Sequence, residues 1–212
     1  MTDYRKERQQ KRAETVIRGL KSRGMEGYYA ETKEEALKKA LSLIPEGSKI
    51  GWGGSFSVNE IGLKEAVLNG NYEVKNRDTA KTPEEKREAE IFGYASDFFL
   101  TSSNVVTEDG VLVNIDGSGN RVSAIASGPR HVLMIVGMNK ITKNVDDAVY
   151  RARNIAAPIN TQRFPIRTPC KTTGACADCK SPDNICCSFL ITRFCRDAGR
   201  IKVILVNEDL GF

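Results

Sequence analysis

The sequence contains a single histidine, His131, among its 212 residues. Two common kinds of catalytic centre depend on histidine, because a nucleophilic serine or cysteine takes it as a general base and many zinc sites take it as a ligand. His131 stands at the entry of an apolar run, at the end opposite the expected ligand edge of the predicted strand, which favours a structural role. The chain therefore has little material for either chemistry.

The sequence also lacks a run of eighteen consecutive apolar residues, which a membrane-spanning helix would need. The N-terminal stretch MTDYRKERQQKR is charged, and no apolar segment follows it as in a secretory signal. We therefore expect a cytoplasmic protein with no membrane partner. Because thiols stay reduced in that compartment, the six cysteines are expected to be metal ligands or redox groups before structural disulfides.

Positive charge exceeds negative charge by five, with 32 Lys and Arg against 27 Asp and Glu. Residues 4–23 carry much of the excess, within a basic N-terminal helix predicted over residues 1–24. No aromatic residues alternate with these charges, and no nucleic-acid-binding motif is present. We therefore expect a solvated helix face and no nucleic-acid partner.

Short apolar runs alternate with capped helices along most of the chain. The spacings Thr32 to Glu35, Ser57 to Glu60 and Thr82 to Glu85 are those of capping boxes that open helices. The apolar runs between and after them read as buried strands: SKIGWGG, YEVKN, DFFLTSS, HVLMIVGMNKI and IKVILVNEDLGF. This alternation predicts an α/β fold with a doubly wound, mostly parallel sheet.

Two features interrupt the alternation. The turns Asp109-Gly110 and Asp116–Gly119 separate β-prone pieces over VTEDGVLVNIDGSGNRVSAIAS, which predicts an inserted antiparallel β-hairpin. A cysteine-rich segment, residues 165–195, precedes the last strand. We expect a single domain over residues 1–212 that includes both.

Ligands of open α/β sheets bind beyond the carboxyl ends of the strands, so the residues that follow each predicted strand are the candidates. Glycines and a serine precede a helix after the first strand, where backbone N–H groups would favour an anion. Hydrogen-bonding side chains follow the third strand and the hairpin, and a lysine follows the fourth. The candidate ligand-binding residues are Gly53, Gly54, Ser55, Ser103, Asn104, Asn114, Asn120 and Lys140. A tight strand-to-helix turn and a solvated lysine are the alternatives.

Three carboxylates near these positions, Glu108, Asp109 and Asp116, could divide the roles of acid and base between them. They are our candidate catalytic residues. Aspartate and asparagine also stabilise turns without any ligand, so an ordinary turn would also account for these residues.

All six cysteines lie between Cys170 and Cys195, with the spacing C-x5-C-x2-C-x6-C-C-x7-C. The pair in CADC has the separation that lets two thiolates bind one ion, and two flanking cysteines could complete a set of four. The candidate ligands are Cys170, Cys176, Cys179 and Cys186. Thiolate-only sites suit zinc or an iron-sulfur cluster, and the spacing does not decide which. A redox-active C-x-x-C pair and native disulfides are the competing interpretations.

Three long motifs resemble, in the same order, those of the LUD-domain family of lactate-utilisation proteins: GWGGSFSVNEIGL, DFFLTSSNVVTEDGVLVNIDGSGNRVSAIASGPRHVLMIVGMNKI and RARNIAAPINTQRFPIRTPCKTTGACADCKSPDNICC. The resemblance spans roughly residues 10 to 210. It implies a fold similar to that of the phosphosugar isomerases and CoA transferases. It also implies a bacterial role in oxidising lactate or a related 2-hydroxy acid, beside iron-sulfur oxidoreductase subunits. The cysteine-rich segment belongs to a subset of the family.

Carried onto matching positions, the resemblance supports all the candidate residues above except Ser103. It leaves Cys187 and Cys195 as core thiols. The expected ligand is a small anionic metabolite, and the expected cofactor is an iron-sulfur cluster or zinc. The alternatives are a non-catalytic redox or docking partner of an iron-sulfur oxidoreductase, and an enzyme similar to an isomerase or CoA transferase. The sequence leaves open whether the protein is an enzyme and whether it forms a homo-oligomer.

Overall fold

The computed structural model describes residues 4–212. Its strands are β1 (Glu26–Ala30), β2 (Lys49–Trp52), β3 (Glu73–Val74), β4 (Phe98–Thr101), β5 (Val105–Thr107), β6 (Leu112–Asp116), β7 (His131–Gly137), β8 (Ile141–Thr142), β9 (Ser188–Thr192) and β10 (Ile201–Val206). Its helices are α1 (Tyr4–Ser22), α2 (Lys33–Leu43), α3 (Phe56–Glu60), α4 (Leu63–Asn69), α5 (Pro83–Tyr94), α6 (Asn120–Ala126), α7 (Val145–Arg151), α8 (Ala157–Thr161) and α9 (Pro169–Thr173). A π-helical turn, Ala152–Ala156, joins α7 to α8.

Six strands form the central sheet in the order β1-β10-β7-β4-β2-β3, and every neighbouring pair is parallel. Side chains of one strand alternate between two cores. Leu133 and Ile135 of β7 pack in a core with residues of α2, α3 and α4, whereas Val132 and Met134 pack in a second core with α1 and α6. Both faces of the sheet are therefore covered, and the predicted parallel α/β fold is confirmed.

The inserted hairpin is also present, as β5 and β6 joined by the turn that follows Thr107. It belongs to a second sheet, ordered β8-β5-β6-β9, to which the cysteine-rich segment contributes β9. The sequence did not predict β1 or β9.

The segment after Gly119 is a helix, α6, and the prediction of a β-strand there is wrong. Gly119 has a φ of 80°, which glycine adopts without strain. The Asp116 carboxylate accepts hydrogen bonds from the backbone N–H groups of Arg121 and Val122, at 2.9 and 3.1 Å. These contacts satisfy donors of the first turn and begin the helix.

No helix within residues 4–212 is long and apolar enough to cross a membrane.

Candidate functional site

A cavity of about 470 Å³ opens at the carboxyl edge of the central sheet. The loops that follow β2, β4 and β7 reach it, because these three strands are neighbours and parallel. Its other walls come from the second sheet, the π-helical turn and the residues around Arg163 and Phe212. A volume of several hundred Å³ is usual for a site that binds a small metabolite.

Lys140 lies at the buried side of this cavity, with 4% of its surface exposed. Its Nζ donates hydrogen bonds to Ser57 Oγ at 2.9 Å and to Ser102 Oγ at 3.1 Å. Burial, followed by the positive charge of Arg151, lowers the pKa of Lys140 to about 7. At neutral pH this amine is therefore divided between its charged and uncharged forms, and it can hold an anion or accept a proton.

Arg121 is the second cation of the cavity wall. Its guanidinium donates to the backbone oxygens of Ser102 and Ile115, at 3.1 and 2.7 Å, and to the side-chain oxygens of Asn114 and Asn104, at 2.7 and 2.9 Å. Burial lowers the pKa of Arg121. The contacts tie β4, β6 and α6 together, so Arg121 both frames the cavity and adds positive charge to it.

The mouth of the cavity carries two more arginines, Arg77 and Arg163. Arg163 stacks over the ring of Phe56, with 4.3 Å between the guanidinium carbon and the ring centroid. Two carboxylates also line the cavity, but both are engaged: Asp78 pairs with Lys64, and Asp116 caps α6. The cavity therefore presents an excess of positive charge.

Only part of the glycine turn that follows β2 lines the cavity. Gly54 and Ser55 line it, whereas Gly53 lies behind, where an added Cβ would stand 3.0 Å from Arg121 Cγ. Ser55 accepts a hydrogen bond from the Val58 backbone N–H at 3.3 Å and so caps α3. Because α3 has only five residues, its N-terminus is a weak source of positive potential. The side-chain cations supply the charge instead.

Glu108 and Asp109 do not reach the cavity, and the prediction that they share a cleft with Ser55 and Lys140 is wrong. Glu108 pairs with Lys143 and with Arg12 of α1, at 2.8 and 3.1 Å, and the hydrogen bond from Lys143 is the main cause of its lowered pKa. The hairpin turn that follows β5 carries both carboxylates to α1 and the residue after it, where Arg12 and Arg23 pair with them.

Asp109 is held at the same place. Its carboxylate pairs with Arg23 and accepts a hydrogen bond from Thr107, which is the main cause of its lowered pKa. These two carboxylates therefore bind α1 to the hairpin turn.

The structure thus brings seven of the eleven candidate catalytic and ligand-binding residues to one cavity: Gly54, Ser55, Ser103, Asn104, Asp116, Asn120 and Lys140. Asn114 lies just behind the wall, bonded to Arg121. Gly53, Glu108 and Asp109 are outside it.

Sequence reasoning missed Ser57 and Gly211 as parts of this site, and it did not place Ser102 or Arg121 among the candidate residues. Gly211 has a φ of 54°, and an added Cβ would stand 3.1 Å from both Lys140 Nζ and Ser57 Oγ. It lies more than seventy residues from Lys140 in sequence, so only the folded chain reveals this contact. Ser102 and Arg121 could have been found, because they adjoin candidates at strand ends.

A second, smaller cavity of about 60 Å³ lies among the cysteines. Cys170, Cys176, Cys179 and Cys186 all line it, and so does Arg153 of the π-helical turn. Burial, and then the proximity of the other three thiols, raises the pKa of Cys186 to about 11. The two cavities are adjacent, because Ala157 and Ile185 line both.

The other two cysteines lie apart from this cavity. Cys187 is exposed, and the expectation that it is a core thiol is wrong. Cys195 is buried in the core beside α1, as expected, and its backbone N–H donates to Arg23 O at 2.8 Å. Within residues 4–212, no three Cys, His, Asp or Glu groups converge closely enough to hold a single metal ion.

A family model described as the LUD domain matches residues 13–206 of this chain. Among solved structures, the crystal structure of a DUF162 family protein from Deinococcus radiodurans is similar, with a TM-score of 0.51 at 11% sequence identity. The similarity covers 94% of this chain and 98% of that one, and at this identity it concerns the fold alone. A search of the curated proteins found no match to this chain.

Proposed function

This chain belongs to the LUD-domain family, and from that premise we propose that its strand-edge cavity binds a small carboxylate metabolite of the 2-hydroxy-acid or 2-oxo-acid class. The family is associated with lactate utilisation, and the proposed role is a step in the oxidation of lactate or a related 2-hydroxy acid. A cytoplasmic location and a partnership with iron-sulfur oxidoreductase subunits are parts of the same proposal.

The observation that carries the proposal is Lys140. Burying a charged lysine is unfavourable. Within residues 4–212 Lys140 makes hydrogen bonds to two hydroxyls but no ion pair, and the negative charge of Glu60 acts on it only from beyond ion-pair distance. A bound carboxylate would supply the missing negative charge. Arg121, whose partners are all neutral oxygens, would add to the attraction.

The cavity also offers groups that suit the rest of such a ligand. Ser102 and Asn104 line it with a hydroxyl and an amide, which can bind the hydroxyl or carbonyl oxygen next to a carboxylate. Ala152, Ala156 and Ala157 add a small apolar surface to the cavity lining. The combination suits a short acid with an oxygen at its second carbon.

Calorimetric titration with L-lactate, D-lactate, pyruvate and lactamide tests this proposal. We expect saturable binding of at least one acid and none of lactamide, which has the shape of lactate without its charge. Lys140→Met should lower the affinity for the tightest-binding acid at least about tenfold, since a hydrogen bond to a charged group contributes about 1.5–3 kcal/mol. Equal binding of lactamide would contradict recognition of a carboxylate.

Two further variants make the result specific. Lys143→Met is the matched control, because Lys143 is exposed and pairs with Glu108 outside the cavity; it should bind the acid normally. Gly54→Val should block the cavity while the protein stays folded, because a Cβ at Gly54 meets no protein atom within 4 Å. Unchanged affinity in Gly54→Val would remove the glycine turn from the site.

A further inference from the structure

The stretch from 169 to 194 is ordered without a buried side chain. Every residue in it is partly or fully exposed, and Cys195 is the next one in the core. Its strand β9 pairs with β6, but the contacts of the residues before β9 are mostly local, such as the bond from Ser181 Oγ to Arg167 O at 3.0 Å and that from Arg167 N to Asp183 at 2.7 Å. Ordering a chain costs about 1–2 kcal/mol for each residue, and residues 169–187, which precede β9, have no buried side chain to offset that cost. A further source of order is needed.

Four of its cysteines face a common interior. Cys170 comes from α9, Cys176 and Cys179 from the following loop, and Cys186 from the residues before β9. All four line the small cavity. Cys187, next to Cys186 in sequence, does not, so the arrangement is selective.

Local geometry turns the C-x-x-C pair inward. Asp178, between the two cysteines, has a φ of 50°, a backbone conformation that residues other than glycine rarely adopt. Its carboxylate pairs with Arg153, whose Nη2 also lies 3.7 Å from Cys176 Sγ. The π-helical turn that carries Arg153 is a feature often found at functional sites. Arg153 therefore places a positive charge beside the cysteines.

The size of the cavity distinguishes the two kinds of thiolate site. A zinc ion would need its four sulfurs about 2.3 Å away from one point, and no three such groups of the described chain converge on one point. The cavity of about 60 Å³ is several times the roughly 10–15 Å³ that one water molecule needs. Four thiols spaced around a larger void match a cluster that takes one thiolate at each of its four irons.

We propose that Cys170, Cys176, Cys179 and Cys186 bind an iron-sulfur cluster of the four-iron, four-sulfide type. On binding, each thiol loses its proton and its sulfur forms one bond to iron. Arg153 offsets part of the resulting negative charge. Because Ala157 and Ile185 line both cavities, the cluster would lie directly beside the strand-edge cavity.

The test is reconstitution of the full-length protein under anaerobic conditions with ferric iron, sulfide and a thiol that reduces part of the iron to the ferrous state, followed by metal analysis. We expect about four irons and four sulfides per chain, with a broad visible absorption that dithionite bleaches. Cys176→Ser and Cys170→Ser should each lose this absorption. The matched control Cys187→Ser, which removes an adjacent but exposed thiol, should keep it. Circular dichroism of each variant shows whether the α/β core is folded.

Three results would overturn the proposal. One zinc per chain without visible absorption would make the site mononuclear. Fully reduced protein that takes up no iron would exclude the cluster. Equal loss of iron in Cys187→Ser and Cys176→Ser would show that the ligands are not limited to the four cysteines that line the cavity. None of these results depends on the carboxylate site, because metal content is measured without any organic ligand.

Discussion

The two cavities touch each other but are built in different ways. The strand-edge cavity is framed by buried strands, and its key side chains are fixed by hydrogen bonds to the backbone of those strands. The cysteine cavity is lined in part by the buried residues Ala157, Thr161 and Thr168, but its four cysteines lie in a stretch, 169–194, that has no buried side chain. The first site is therefore organised without a ligand, whereas the proposed cluster would supply order to the second. The two sites should therefore respond differently to substitution.

The largest effect is expected at Arg121, because it is part of the fold as well as of the cavity. Arg121→Met would remove a donor from four oxygens of the wall. The side-chain oxygens of Asn104 and Asn114 would each keep one backbone N–H donor. We expect the free energy of unfolding to fall by on the order of 3 kcal/mol. Urea denaturation measures it.

Arg130→Met is the control for that measurement, because Arg130 follows α6 closely but is 81% exposed and makes only a long contact of 3.5 Å to Asp97. It should change the free energy of unfolding by less than about 0.5 kcal/mol. Similar losses in both variants would mean that Arg121 does not hold the cavity together.

The opposite pattern is expected in the cysteine-rich segment. Cys176→Ser should accelerate proteolytic cleavage within residues 169–194 by at least about tenfold, since local opening needs little energy where no side chain is buried. The urea midpoint of the core should stay within the error of the wild-type value. A cleavage rate unchanged from that of cluster-loaded wild type would mean that packing alone orders the segment.

Lys140 should make stability depend on pH in a defined window. Its pKa is about 7 in the folded protein and about 10.4 in an unfolded chain. Between these values the unfolded state binds more protons, so the free energy of unfolding rises with pH, by about 2 kcal/mol from pH 7 to pH 9. Lys140→Met should remove that rise, and denaturation at several pH values checks it. An equal rise of the free energy of unfolding in the variant would mean that other groups cause the pH dependence.

The smallest effect is expected at the hairpin turn. Glu108→Gln weakens partly exposed ion pairs with Arg12 and Lys143, which contribute about 0–1 kcal/mol. Carboxylate affinity should stay at its wild-type value, because Glu108 lies outside the cavity. A large loss of affinity in this variant would restore Glu108 to the site.

The sequence predicted residues of the strand-edge site correctly where they directly follow a parallel strand of the central sheet, because ligands bind beyond the carboxyl ends of such strands. Ser55, Asn104 and Lys140 follow β2, β4 and β7, and all three line the cavity. The rule failed at Glu108 and Asp109, because they follow a hairpin strand of the second sheet, whose end leads to α1.

Contacts between distant segments could not be read from local patterns. Gly211 packs on Lys140 across about seventy residues, and Arg121 joins strands on both sheets. For the cysteines, spacing predicted the four that share a cavity. It could not distinguish one ion from a cluster, because that difference depends on the space enclosed by the folded chain.

The most direct test of the account is calorimetric titration of the best carboxylate into wild type and Lys140→Met between about pH 6 and pH 9. An anion binds the charged form of Lys140, so the wild-type affinity should be highest below pH 7. It should then fall by up to about tenfold for each pH unit above, with proton uptake on binding. Lys140→Met should bind weakly and without this pH dependence. Wild-type affinity that does not change with pH, or that survives in Lys140→Met, would contradict the claim that this buried lysine holds the ligand.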